Sequence, residues 1–179
     1  NIQRNGITSG VPRCLEGARY YCQWAGAPYS VYSDKMGTND YADDINARSL
    51  MSNWLGGSSC YMPLMEGKGI PFEMTLAVHS DAGYQADFKS IHGSLAIATT
   101  NFNDCILNSG ISRYTSLDLA SQLLNNLNVD MTRTFGTWGK RYLWDRNYSE
   151  TRIPEVPSAI LETLSHQSFP DMKIGQHPY

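Results

Sequence analysis

The chain has 179 residues, 41% of them hydrophobic and 17% charged, enough for one domain with a core and short for two. Lys+Arg 14 against Asp+Glu 17 gives a formal net charge of -3 and an isoelectric point near 5.8. No positive surplus is available to neutralise a phosphate backbone, so nucleic acid is not an expected partner. The longest apolar runs, Leu95 to Ala98 and Ala159 to Leu161, fall far below the roughly 20 residues of a membrane span.

Residues 1 to 13 are polar and rich in turn formers (Asn5-Gly6, Ser9-Gly10, Pro12), which predicts an irregular entry segment. The chain opens on Asn1 with no charged region ahead of an apolar one, so no signal peptide is read. It closes on Gly175-Gln-His-Pro-Tyr179, which carries no helix signal. We therefore expect a single domain over 1–179, incomplete at its N-terminus and with the same reading open at its C-terminus. Cys14, Cys22, Cys60 and Cys105 have neither a paired CxxC nor a zinc-ribbon spacing, and buried free thiols or one or two bridges are the expectation.

Ala18, Tyr21, Cys22 and Ala25 recur at helical spacing and predict a helix from 14 to 25, ended by Gly26 and Pro28. Tyr29 to Thr38 reads as a loop. Asn39 or Asp40 caps a second helix with the stripe Ala47, Leu50, Met51 and Trp54, Arg48 lying off that stripe, and Gly56-Gly57 closes it. From Phe72 the period becomes two, predicting a strand that ends at His79. Gly93 to Thr100 reads as a second strand. Ala120, Leu123, Leu124 and Leu127 make the surest helix, opened by Thr115-x-x-Asp118. A short strand is expected at Arg141 to Asp145, and Ala159 to Leu164 reads as a buried strand whose one charge is Glu162. Strands alternating with helices predict an α/β fold, a mostly parallel sheet flanked by helices on both faces.

A carboxylate inside a buried strand is costly unless paired, protonated or metal-bound, so Glu162 is either salt-bridged to an Arg or functional. His79, ending a strand, is either a hydrogen-bonded structural residue or a ligand. Asp81 is two residues on and His166 four residues after Glu162, so the four are candidates to converge. There is no G-x-S-x-G, no P-loop, no G-x-G-x-x-G and no H-E-x-x-H, which removes the usual serine hydrolase, nucleotide and zincin signals. Trp138, Tyr142, Trp144 and Tyr148 line either a sugar or peptide groove or the core.

Three segments together resemble the zinc-dependent N-acetylmuramoyl-L-alanine amidases. Leu76-Ala-Val-His-Ser-Asp-Ala-Gly83 is similar to the family's strand ending in a zinc-binding His, Ser116 to Leu127 to its following helix, and Val156-Pro-Ser-Ala-Ile-Leu-Glu-Thr-Leu-Ser-His166 to the segment bearing its catalytic Glu. Glu16-Gly-Ala-Arg-Tyr-Tyr, Asn39-Asp-Tyr-x-Asp-Asp, Tyr148-Ser-Glu-Thr-Arg152 and Leu164 to Gly175 resemble a divergent branch often labelled xanthan lyase or golvesin-like. The likeness runs from about Arg13 onward.

The resemblance implies a fold similar to the zinc amidases and zinc exopeptidases, and zinc-dependent hydrolysis of the amide between N-acetylmuramic acid and L-alanine in peptidoglycan. It implies zinc as cofactor, a peptidoglycan or muropeptide substrate and an extracytoplasmic location, whether periplasmic, cell-surface or secreted. By carry-over His79 is a metal ligand and Glu162 the catalytic carboxylate, with Glu16 a further metal-ligand candidate and Glu150 and Arg152 candidates for orienting substrate. The family's Gly-His-Gly ligand loop has no counterpart before His79, where this sequence contains no His. Three readings follow: the missing His lies in a segment outside this sequence, the favoured one; the site is degenerate; or the ligand set is rebuilt from Asp81, His92 or His166. The alternative functions are a non-catalytic glycan- or peptide-binding module on the same fold, or a metallopeptidase acting on another amide.

Overall fold

A computed structural model describes residues 10–82 and 87–177. The expectations for the first nine residues and for Gly83 and Tyr179 lie outside the described residues. The elements are α1 (Ala18–Trp24), α2 (Tyr29–Tyr32), α3 (Asp40–Gly56), β1 (Thr75–Asp81), β2 (Ser94–Ala98), α4 (Tyr114–Phe135), β3 (Lys140–Asp145), α5 (Ser149–Arg152), β4 (Ser158–Ser165) and α6 (Phe169–Gly175), with single 3₁₀ turns at Arg13–Leu15 and Asn103–Cys105.

The four strands form one sheet in the order β1-β4-β2-β3. β1 runs parallel to β4 and β2 parallel to β3, while β2 and β4 are antiparallel. The α/β class holds, and the sheet is mixed: two parallel pairs meet at an antiparallel seam. The last strand in sequence enters the middle of the sheet, so Glu162 stands between His79 of β1 and Leu95 of β2.

Residues two apart on a strand share a face, and this divides the core. Ala96, Ala98, Ala159 and Leu161 pack against Ala120 and Leu124 of α4, the stripe that made this helix legible. Leu95, Ile97 and Ile160 form the other face with Ala77 and Trp144. His79 and Glu162 continue this second face, each two residues beyond Ala77 and Ile160. Trp138 is buried and donates from Nε1 to Ser94 Oγ at 2.9 Å.

A second cluster, Cys22, Ala27, Val31 and Ala47 with Leu50, Met51 and Trp54, joins α1 and α2 to α3. Arg19, buried, ties them further: Nη1 donates to Asp40 at 2.5 Å and Nη2 to Ser33 Oγ at 2.8 Å. Asn39 caps α3 by accepting from the amide of Ala42 at 3.0 Å, as its side chain predicts.

Several elements depart from the sequence reading. The helix expected over 14–25 is a 3₁₀ turn followed by α1, because Gly17, extended at φ -96° and ψ 129°, separates them. The segment 29–38 contains α2, and the C-terminal part contains α6; neither has the two turns of periodicity that such a reading needs. β1 begins at Thr75 rather than Phe72, where pairing with β4 begins. All four cysteines are free thiols.

Where β2 begins, backbone meets backbone. A Cβ on Gly93, whose φ is +80°, would lie 1.8 Å from the carbonyl oxygen of Gly139, which accepts from Ser94 N at 2.8 Å. Neither chain has a flexible side chain there that could yield, and the left-handed φ disfavours any L side chain. Gly93→Ala is expected to lower unfolding free energy by about 3 kcal/mol, read from urea denaturation against the wild-type chain.

Candidate functional site

His79 is brought into the site by β1, Glu162 by β4 and Glu150 by α5. The parallel register sets His79 directly opposite Glu162, with Nδ1 3.8 Å from Glu162 Oε1. On the other side of the ring Nε2 is 3.0 Å from Glu150 Oε2. Glu150 Oε1 in turn accepts from Arg48 Nη1 of α3 at 2.9 Å. Four side chains from four elements thus form one line, Arg48, Glu150, His79, Glu162.

Glu162 is half-buried, and its Oε2 is buried with no hydrogen-bond partner among the described residues. Burial pushes its pKa up; the positive charges of His79 and Arg141 act the other way, and Asp81 and Glu150 reinforce the rise. Burial alone would also raise Glu150, but the hydrogen bond from His79 and the charge of Arg48 outweigh it and hold that carboxyl below its ordinary value. The hydrogen bond to Glu150 raises His79, against a smaller opposing effect of burial. The two carboxylates flanking one imidazole are therefore pushed apart, the pattern that separates a proton-carrying group from a permanently charged one.

Glu150 ionises more readily folded than unfolded, so its contribution to stability is present above the ordinary carboxylate pKa and is lost as pH falls through its lowered value. His79 holds its proton more tightly folded, so its contribution is complete below its ordinary value of about 6.5 and is lost as pH rises through its raised one. Glu150→Gln should therefore cost most stability between those two values and little beyond either, measured as urea midpoints across a pH series. In the same variant the His79 titration, followed by NMR, should fall back toward about 6.5.

A cavity of about 410 Å³ opens on the Glu150 side of the ring, lined by Glu16, Tyr41, Asp44, Ile45, Arg48, His79, Tyr148, Ser149 and Glu150, a volume suited to a small ligand or part of a larger one. Glu16, just ahead of α1, is thus placed with His79. Glu162 is not in this lining and stands across the ring, at Nδ1.

Asp81 is near enough to bear on the charge of Glu162, and the other candidates have partners of their own. Asp81 pairs with Arg141 of β3, past an irregularity in the β1–β4 register between His79 and Asp81. His166 accepts or donates at Nδ1 with Ser80 Oγ, 2.9 Å away. His92 Nε2 lies 2.7 Å from the carbonyl oxygen of Asp87. Arg152 donates to Asn147 at 2.7 Å and lies over the Phe102 ring, outside the His79 cavity. Of the aromatic group, Tyr142 and Trp144 stack on each other at 4.8 Å and Tyr148 lines the cavity.

Zinc, the group the resemblance implies, is tested by this donor set. No group of three or more His, Cys, Asp or Glu among the described residues is gathered closely enough to hold a metal ion. The reason is visible at His79: its two carboxylate neighbours address opposite ring nitrogens, so neither nitrogen shares one point with both. The described residues therefore do not by themselves make up a zinc site.

Arg48 was the residue sequence reasoning passed over. The signal for it is the run Arg48, Ser49, Ser52 and Asn53, which lies on the face of α3 opposite the apolar stripe. Compared with protein-family models, with curated proteins and with solved structures, the chain matches none.

Proposed function

We propose that this chain is an amide hydrolase acting on peptidoglycan, cleaving between N-acetylmuramic acid and L-alanine, with Glu162 as the group that moves the proton. The observation that supports it is the state of Glu162: a carboxylate in mid-strand, raised by burial, with one buried oxygen unpartnered and the other facing an imidazole. Such a group takes a proton from an attacking water and returns it to the leaving amine, because its pKa is moved toward the operating pH. Glu150, held ionised by Arg48 and His79, is the fixed negative charge. The cavity holding Glu16, Tyr41 and Tyr148 offers room for the stem peptide.

An extracytoplasmic location and a fold akin to the zinc amidases are parts of this proposal, as is zinc dependence with further ligands supplied from outside the described residues, all carried by the resemblance in the β1 and β4 segments. The test is digestion of purified muropeptides followed by mass spectrometry, beside elemental analysis of the protein. Release of a free stem peptide with an L-alanine N-terminus is expected. Binding of muropeptide without cleavage, with zinc supplied, would replace the proposal by the glycan- or peptide-binding reading.

A further inference from the structure

Part of the polar face of α3 is turned inward: Ser49 and Asn53 are buried. Ser49 Oγ donates to the carbonyl oxygen of Ser149 at 3.1 Å, Asn53 Nδ2 to that of Ile153 at 2.9 Å, and Asn53 Oδ1 accepts from Glu155 N at 3.0 Å. These bonds seat α5 and the chain after it along α3. α5 is a four-residue helix, too short to hold a shape alone, so α3 sets where Glu150 stands.

The carboxylate of Glu150, itself nearly buried, then uses one oxygen for each neighbour: Oε1 for Arg48 and Oε2 for His79. A carboxylate only accepts, so His79 Nε2 carries the hydrogen of that bond. Nδ1, the other ring nitrogen, faces Glu162. Isolated exposed ion pairs are worth little, but a charged chain that fixes one imidazole between two strands has a different consequence: it decides which nitrogen is offered to a reactant.

We infer that Arg48 and Glu150 are positioning residues that lock the His79 ring with Nε2–H toward Glu150 and Nδ1 toward Glu162, so that reacting groups meet on the Nδ1 side. The ring lock stands on geometry alone; its catalytic meaning rests on the hydrolase reading above. Nδ1 is then the working nitrogen, and Glu150 acts on the reaction through the ring.

The test uses ring-¹⁵N-labelled full chain at a pH where the imidazole is neutral. In the wild-type protein the His79 ring proton is expected on Nε2, exchanging slowly with water. Arg48→Met and Glu150→Ala should speed that exchange at least tenfold, and Arg48→Lys should restore most of the protection, with circular dichroism confirming that each variant is folded. A ring proton found on Nδ1 in the wild-type chain overturns the inference without any variant, as does unchanged exchange in folded Arg48→Met. An intact ring lock with no amide cleavage would sink the hydrolase reading and leave the lock standing.

Discussion

Glu162→Gln is expected to lower amide hydrolysis by 10²- to 10⁴-fold, the range that a positioned general acid–base group contributes, while leaving the chain folded. Glutamine keeps the shape of the side chain and cannot carry the proton. Glu162 lies opposite both His79 and Leu95, so the substitution alters one charge and no packing. Its effect on stability should run the other way. A carboxyl whose pKa is raised by folding contributes stability below its unfolded pKa and loses it as pH rises through the folded value. Above that value the wild-type chain keeps a charge in a poorly solvated place with one oxygen unpartnered, and Glu162→Gln removes the cost. Urea denaturation at mildly alkaline pH should therefore show the variant at least as stable as wild type, together with the loss of turnover. A variant that is inactive and also clearly less stable would point to a structural role for the carboxylate.

Asp171→Ala should have the largest effect on stability, about 4 kcal/mol of unfolding free energy. Asp171 is fully buried, and among the described residues its charge is met by hydrogen-bond donors rather than by a cation. Oδ1 accepts from His92 N at 3.0 Å and Ser168 Oγ at 3.1 Å, and Oδ2 from Gly93 N at 2.9 Å and Ser165 N at 3.0 Å. Truncation strands three backbone N–H groups, each costing on the order of 1–3 kcal/mol when buried without a partner, part of which relaxation recovers. Asp171→Asn should recover little, since an amide nitrogen would face donors where an oxygen now accepts. Urea unfolding of the three proteins side by side measures both. The clamp joins the start of β2 to the end of β4, so its loss should also loosen the strand that carries Glu162.

Much of the fold was legible because it repeats. The stripe through Ala120 and Leu124 and the alternation leading to His79 each carry enough periods to be read directly. Glu162 drew attention in the sequence as a carboxylate inside an apolar run, and His79 as the expected end of a strand that in fact continues to Asp81. What could not be read were relations that exist only once the sheet is assembled. Nothing local tells that β4 inserts between β1 and β2, or that β2 opposes it in direction. Glu150 and Arg48 were illegible as a pair for the same reason: their contact joins residues 102 positions apart. Asp171 looks like an ordinary first-turn acid beside Ser168, and only the approach of residues 92, 93 and 165 makes it a clamp. Of the residues expected to converge, Asp81 pairs with Arg141 and both bear on the charge of Glu162, while His166 pairs with Ser80.

The seam between α3 and the segment after β3 is made largely through main-chain atoms of that segment. Ser49 and Asn53 grip the carbonyl oxygens of Ser149 and Ile153 and the amide of Glu155, groups that every residue other than proline supplies. The grip of Ser49 and Asn53 therefore uses no side chain of 149–155; Glu150 is held by Arg48 and His79, and Thr151, Pro154 and Glu155 are buried against other parts of the fold. The loop can be rewritten at its cavity-facing positions, Ser149 among them, and still deliver the acid to the same place. A binding surface beside a fixed imidazole is in this way open to retargeting by substitution, as α3 carries the geometry and the loop carries the identity.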